Sequence, residues 1–194
     1  VFDGKPIIST DPWIFGNPYF GSWGHKYSIP SEQLDNIKKS KYLFLSHGHP
    51  DHIDPDSFEL FKNKTLIVGD HYGDRIYNDL KVKYDCIKLK SNSWFVVSKN
   101  IRIKSFADWN QDTSLIIDVI LNLNDAKARG WSGEIKKIIK PYRNKFLLKL
   151  VNEADADMIN FYNHHNTFLP PHTSKDGIGK IYTQAMDNWN CNFA

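Results

Sequence analysis

Tyr42-Leu43-Phe44-Leu45-Ser46-His47-Gly48-His49-Pro50-Asp51-His52 is the stretch on which the fold turns. Its four leading apolar residues read as a short buried strand. Three histidines and an aspartate then fall within six positions. Strand ends are where rigid scaffolds present functional loops. Imidazole and carboxylate donors together suit zinc, iron or manganese better than calcium or magnesium. In an extended segment His47 and His49 point to the same side, so both can reach one cation. Asp51 and His52 lie one turn further on and are expected to face a second ion. Two metals about 4 Å apart are a common arrangement for cleaving phosphate or acyl bonds. A polar surface loop would explain one histidine; three at this spacing after a strand call for a metal site.

The rest of the chain is ordinary in bulk and unusual in its aromatics. Its 194 residues fit one domain large enough to bury a core. Hydrophobic residues make up 41% and charged ones 24%, as in a typical globular protein. The 12 Phe, 9 Tyr and 6 Trp suit a layered core and an aromatic-lined cleft. A net charge of +3, with lysines scattered apart from short clusters such as Lys38-Lys39 and Lys136-Lys137, does not argue for nucleic acid. Cys86 and Cys191 share no motif, so reduced thiols and a cytoplasmic location are expected. No apolar run approaches the roughly 20 residues of a membrane span. The chain opens on Val1 inside a strand-like segment. The reading is a single domain over residues 1–194, incomplete at both ends.

Outward from the histidine stretch, strands and helices alternate and then give way to strands alone. Pro6 to Ser9 reads as a short strand at the end of a hairpin. Thr10 to Trp23 mixes proline, glycine and aromatic residues, so it is expected to be irregular, either walling a pocket or plugging the core. Asp11, at a strand end, could orient a metal-bound histidine or simply cap the turn before Pro12. Ser31 is the expected N-cap of a helix with Leu34 and Ile37 inward. Asp54-Pro55 opens another, with proline at its first position. Thr65 to Gly69 is a buried strand; Asp70 and His71 at its end are assigned a structural role, and residues 72–80 a short helix. Period-two segments then run through Ile87-Leu89, Trp94-Val97, Ile101-Ile103 and Thr113-Leu123. Ser132 to Ile139 reads as a helix and Phe146-Leu148 as a last strand. Val119 and Ile120 join two strands with no turn residue between them. Either one long strand runs through or turn residues are missing, and the second is the favoured reading. Strand ends beyond the histidine loop supply two more candidate ligands, Asp108 after strand 101–106 and Asp125 after strand 121–124. An aspartate at such a position can bridge two cations.

His-x-His-x-Asp-His after a hydrophobic strand resembles the signature of the metallo-β-lactamase superfamily. Within it the chain is similar to the metallo-β-lactamase-like domain of CMP-N-acetylneuraminate hydroxylases and their bacterial relatives. It also resembles the ascorbate-6-phosphate lactonase-like and N-acylphosphatidylethanolamine phospholipase D-like branch. The residues that carry this are Asp11-Pro12-Trp13 with Gly16 and Gly21-Ser22-Trp23, Leu45 to His52, Val68-Gly69-Asp70, Asp112-Thr113, and Ile120-Leu121-Asn122 leading to Asp125. The resemblance covers roughly residues 3 to 130. It implies an α/β fold, a four-layer αββα sandwich of two mixed β-sheets flanked by helices. It places Asp125 at the bridging position and Asp108 where a histidine is expected. A carboxylate there hardens the site and favours iron or manganese relative to zinc. The Cys-x-His and Cys-x-x-His pairs of a Rieske domain do not occur here. His164, His165 and His172 are the candidates for a last histidine ligand.

The metal set expected from sequence is therefore His47, His49, Asp51, His52, Asp108 and Asp125, holding two divalent ions with zinc the first choice. Asp51 is also the candidate catalytic group. The leading function is a metal-dependent hydrolase that activates water against a phosphorylated or nucleotide-sugar-like small substrate. One alternative is an iron-dependent hydroxylase component working with a Rieske-type electron donor; another is a non-catalytic ligand-binding domain.

Overall fold

A computed structural model describes residues 3–25, 27–149 and 183–193. Two sheets stack face to face. The first contains β1 (Ile8–Thr10), β2 (Tyr42–Leu45), β3 (Thr65–Gly69) and β4 (Asp85–Leu89), in that order and all parallel. The second contains β5 (Trp94–Ser98), β6 (Ile101–Ala107), β7 (Thr113–Ile117), β8 (Ile120–Asn124) and β9 (Phe146–Lys149). Its strands run antiparallel except for the β8–β9 pair. The expected sandwich of two sheets flanked by helices is thus what forms, with one refinement: only the second sheet is mixed. The first is parallel because a helical crossover joins each of its strands to the next, returning the chain in the same direction.

Side-chain alternation sorts the layers. Tyr42, Phe44, Ile67 and Leu89 point inward and meet Val97, Ile101, Ile103 and Leu115 of the second sheet. Phe44, Ile67, Ile103 and Leu115 are completely buried, and each such side chain contributes about 1.5–3 kcal/mol. The neighbours Leu43, Leu45, Leu66 and Val68 point outward under the helices of the first layer. Those are α1 (Ser31–Lys39), α2 (Pro55–Phe58) with a 3-10 turn over Glu59–Phe61, and α3 (Arg75–Leu80). On the far side, α4 (Ser132–Ile139) and the helical residues 183–189 cover Phe106, Ile116, Leu121 and Leu147. Cys86 packs in the first outer layer and Cys191 in the other, and both thiols are free.

Local chemistry accounts for most boundaries. Asp54 caps α2 by accepting from the Ser57 backbone N–H at 2.9 Å, with Pro55 in the first turn. Pro30, not Ser31, occupies the N-cap of α1, and Ser31 is already helical with no side-chain cap bond. Lys64 Nζ donates to the carbonyls of Lys38 (2.7 Å) and Ser40, closing the end of that helix.

The segment at Val119–Ile120 is not one long strand. Ile117 pairs with Ile120 across a two-residue hairpin of Asp118 and Val119. Asp118 takes φ +49°, a left-handed conformation that aspartate tolerates better than most residues. β1, expected at the end of a hairpin, instead pairs in parallel with β2.

Candidate metal centre

β2 ends at Leu45, and the chain stays extended through His49 before turning back. The N–H groups of His52 and Ile53 both donate to the His49 carbonyl, at 3.0 and 2.9 Å. That turn swings His52 under His47, so the two rings lie 4.0 Å apart between centroids. His47 Nε2 reaches His49 Nδ1 at 2.7 Å. From the second sheet, Asp125 follows β8 and brings Oδ2 to 3.6 Å from both His47 Nε2 and His52 Nε2. Asp51 Oδ2 lies 3.3 Å from His52 Nε2. Ligand atoms of His47, His52 and Asp125 all fall within 4.8 Å of one another.

Behind these groups stands a layer that fixes their orientation. The Ser46 hydroxyl meets His47 Nδ1 at 2.9 Å. With that nitrogen carrying the proton, Nε2 turns its lone pair to the cluster. His52 Nδ1 has Asn124 Nδ2 at 3.1 Å, and Asp11 Oδ1 and Ser46 Oγ each at 3.5 Å. Asp11 is held in turn by the Ser46 backbone N–H (2.7 Å) and by Asn124 Nδ2 (2.7 Å). Asp11 and Asn124, at the ends of β1 and β8, both adopt left-handed backbone, φ +43° and +47°. The aromatic loop contributes Tyr19, whose hydroxyl donates to Asp51 Oδ1 at 2.7 Å. Only Ile14 of that loop is a buried core hydrophobe, so the loop walls the site more than it plugs the core.

Electrostatics follow the carboxylates. Burial lowers the His47 imidazole, as do the neighbouring rings of His52 and His49. His52 moves the other way. Burial would lower it, but the carboxylates of Asp11, Asp125 and Asp51 around the ring outweigh that and lift it to about 11. Burial pushes Asp51 up, yet His52 and Tyr19 hold its carboxyl down at about 2. Asp125 likewise sits below the usual carboxylate range: burial opposes this, and His52 prevails. Burial and the adjacent Asp51 raise the Tyr19 phenol. The cluster is built to stabilise positive charge.

A transition-metal cation fits these residues. His52 Nε2 is buried and makes no well-aligned hydrogen bond, its nearest acceptors being Asp51 Oδ2 at 3.3 Å and Asp125 Oδ2 at 3.6 Å, while the other nitrogen of the ring is engaged. Buried polar atoms are seldom left so unless an ion or water completes them. Neutral imidazoles with carboxylate oxygens are the donor set of zinc, iron and manganese sites.

The sequence-derived set is thus only partly gathered. His47, His52 and Asp125 converge; His49 and Asp51 border them. His52, expected to face a second ion, joins the same cluster as His47 because of the turn at 49–53. Asp108 is not among the atoms that converge there, and its Oδ2 is buried with no hydrogen-bond partner. Its Oδ1 accepts from the N–H groups of Asn110 (2.8 Å) and Asp112 (3.4 Å), closing its own turn. His164, His165 and His172 lie outside the described residues. His71, assigned a structural role from sequence, and Asp112, quoted there only for the resemblance, line one cleft with His47 and His49. His71 is buried and bonds through Nε2 to the Thr113 hydroxyl at 2.7 Å. The available signal was position alone, since each follows or precedes a strand at the same rim. No helix among the described residues is long and apolar enough to cross a membrane.

Fold and site together define an α/β sandwich with a candidate metal centre at one rim, and the sequence comparisons bear on its kind. No family model matches the chain. It is similar to the cytidine monophosphate-N-acetylneuraminic acid hydroxylase of Asterias rubens, 29% identical over 117 residues, covering 59% of this chain and 17% of that protein. The protein of the same name from Cricetulus griseus is 23% identical over 128 residues, 59% of this chain and 22% of the relative. A Mycolicibacterium smegmatis protein named as a putative Rieske 2Fe-2S iron-sulfur protein is 40% identical over 65 residues, 31% of this chain and 12% of its own length. The chain therefore matches less than a quarter of each of these relatives.

Proposed function

We propose that this chain is the metallo-β-lactamase-like, metal-binding part of an oxygenase-type enzyme, with iron as its metal and a Rieske centre as its electron source. Its ligands are His47, His49 and His52 with Asp51 and Asp125. The observation that carries this reading is the convergence of His47 Nε2, His52 Nε2 and Asp125 Oδ2 within 4.8 Å of one another, with His52 Nε2 buried and turned to two carboxylates. Similarity to named hydroxylases and to a named Rieske protein favours iron and oxygenase chemistry over zinc and hydrolysis. The substrate is a small phosphorylated or nucleotide-sugar-like molecule. When bound, the metal supplies Lewis acidity and, as iron, one-electron chemistry.

The chain's own residues do the rest. Ser46, Asp11 and Asn124 hold the two buried imidazoles in one orientation, so no reorganisation is needed when the cation arrives. Tyr19 fixes the Asp51 carboxylate, which is kept ionised and so can hold a cation. His49 stands exposed at the cleft mouth.

A second reading is a metal-dependent hydrolase, favoured by that same Tyr19–Asp51 pair, since a held carboxylate beside a metal is also what water activation requires. Elemental analysis of the purified protein separates the two, joined to two assays. Iron with dioxygen uptake that requires a reduced Rieske protein supports the oxygenase. Zinc with hydrolysis of bis(p-nitrophenyl) phosphate supports the hydrolase. Absence of any metal after growth in supplemented medium and direct titration overturns both and leaves a non-catalytic ligand-binding domain.

A further inference from the structure

The cleft beside the metal cluster has two chemically opposite walls. It measures about 470 Å³ and is lined by His47 and His49, within the size range of clefts that take small organic ligands. One wall is Arg75 at the start of α3. The neighbouring Ile76 packs with the core side of the helix layer. Gly48 lets that helix come close: a Cβ there would lie 3.1 Å from Ile76 Cδ1 and 3.6 Å from an Arg75 guanidinium nitrogen. The absence of a side chain between His47 and His49 is thus what brings a guanidinium to the metal loop. Arg75 forms no ion pair with any described carboxylate. It is the one cationic side chain of fixed charge lining the cleft.

The opposite wall is the turn of Asn110, Gln111 and Asp112. Gln111 takes φ +68°, a strained conformation for a residue with a side chain. Buried Asp108 sustains it by accepting from two of the turn's N–H groups, while its own N–H donates to the Asp112 carbonyl at 2.9 Å. Strain of this kind clusters where a chain holds a ligand. Asp112 repels an anion from that side and accepts from hydroxyl or amide groups.

We infer that Arg75 is the anchor for an anionic group, a carboxylate or a phosphate, of a small polar substrate. The 110–112 turn receives the hydroxyl- or amide-bearing end, and the bond to be changed lies over His47 and His49. A guanidinium suits both anions because its forked N–H groups match two oxygens at once. This inference rests on the proposed function for its substrate.

The test is titration of the whole chain with inorganic phosphate and, separately, with acetate. It is followed by NMR at the Arg75 Nε–Hε signal and at the backbone amides of Gly48 and Gln111. It is run with metal loaded and with metal chelated. Saturable shifts at Arg75 are expected, weakened at least tenfold at the two amides in Arg75→Ala and Arg75→Gln and less in Arg75→Lys, with metal content unchanged. Phosphate alone or acetate alone assigns the anion; response to both assigns a site that reads charge. Flat titrations with both anions overturn the inference, as does unaltered binding in Arg75→Ala. If the cluster takes up no metal but the Arg75 shifts persist, the metal reading falls and the anion site stands. If metal binds and Arg75 is silent, only the anion site falls.

Discussion

The two sheets contribute to the centre in different ways. The parallel sheet delivers one contiguous loop, Ser46 to His52, in which three imidazoles and a carboxylate are close in sequence as well as in space. The mixed sheet delivers two separate pieces, Asn124 and Asp125 at the end of β8 and Asp112 before β7, with a hairpin between them along the chain. Most of the proposed ligands thus lie on one side of the rim, whereas orientation and the walls of the cleft are shared by both sides. A local motif can be read from spacing; a constellation assembled by sheet packing cannot.

Substitutions that separate the two contributions sharpen this contrast. His52→Ala removes a buried ligand from the contiguous side. It should cost more than a hundredfold in metal affinity by competition with a chromophoric chelator, with an unchanged far-ultraviolet circular dichroism spectrum. Asn124→Ala, on the dispersed side, leaves every ligand in place but removes the amide between Asp11, Ser46 and His52. Loss of such a partner costs about 10–100-fold in affinity, and an effect as large as that of His52→Ala would break the distinction. Gly69→Ala probes the junction of the sheets, because a Cβ there would fall 2.3 Å from Thr113 Oγ1. Overpacking of this kind should cost about 1–3 kcal/mol in urea unfolding, with metal affinity falling less than in Asn124→Ala. Asp108→Asn should do least: Oδ1 stays to close the turn, so metal content is unchanged and stability moves by under about 1 kcal/mol. A loss of metal in that variant would make Asp108 a ligand.

These contrasts explain what was legible in the chain. β2, β3, α4 and the histidine loop were readable because hydrophobic period and residue type agree locally. α4 even has the expected bounds, Ser132–Ile139. The hairpin at Asp118 was not, since its turn depends on one aspartate in a left-handed conformation and carries no glycine or asparagine. Asp108 and Asp112 show the same limit at the site. Both follow or precede a strand at the correct rim, and four positions separate them. Which one faces the cleft is decided by the turn that Asp108 caps, a property of backbone geometry that residue type does not reveal. Asp11 was legible as a partner of a metal-binding histidine, while the Asn124 amide that joins it to the second sheet was not.

That Asp11–Asn124 contact has a mechanical consequence. The two side chains end strands of different sheets and meet at 2.7 Å, with His52 directly behind them. They act as a clasp across the seam of two plates, and a cation held between His52 and Asp125 is the rivet through it. Sliding one plate against the other opens clasp and rivet together. Occupancy of the centre should therefore stiffen the whole rim, and heating should release the ion as the plates part, not before.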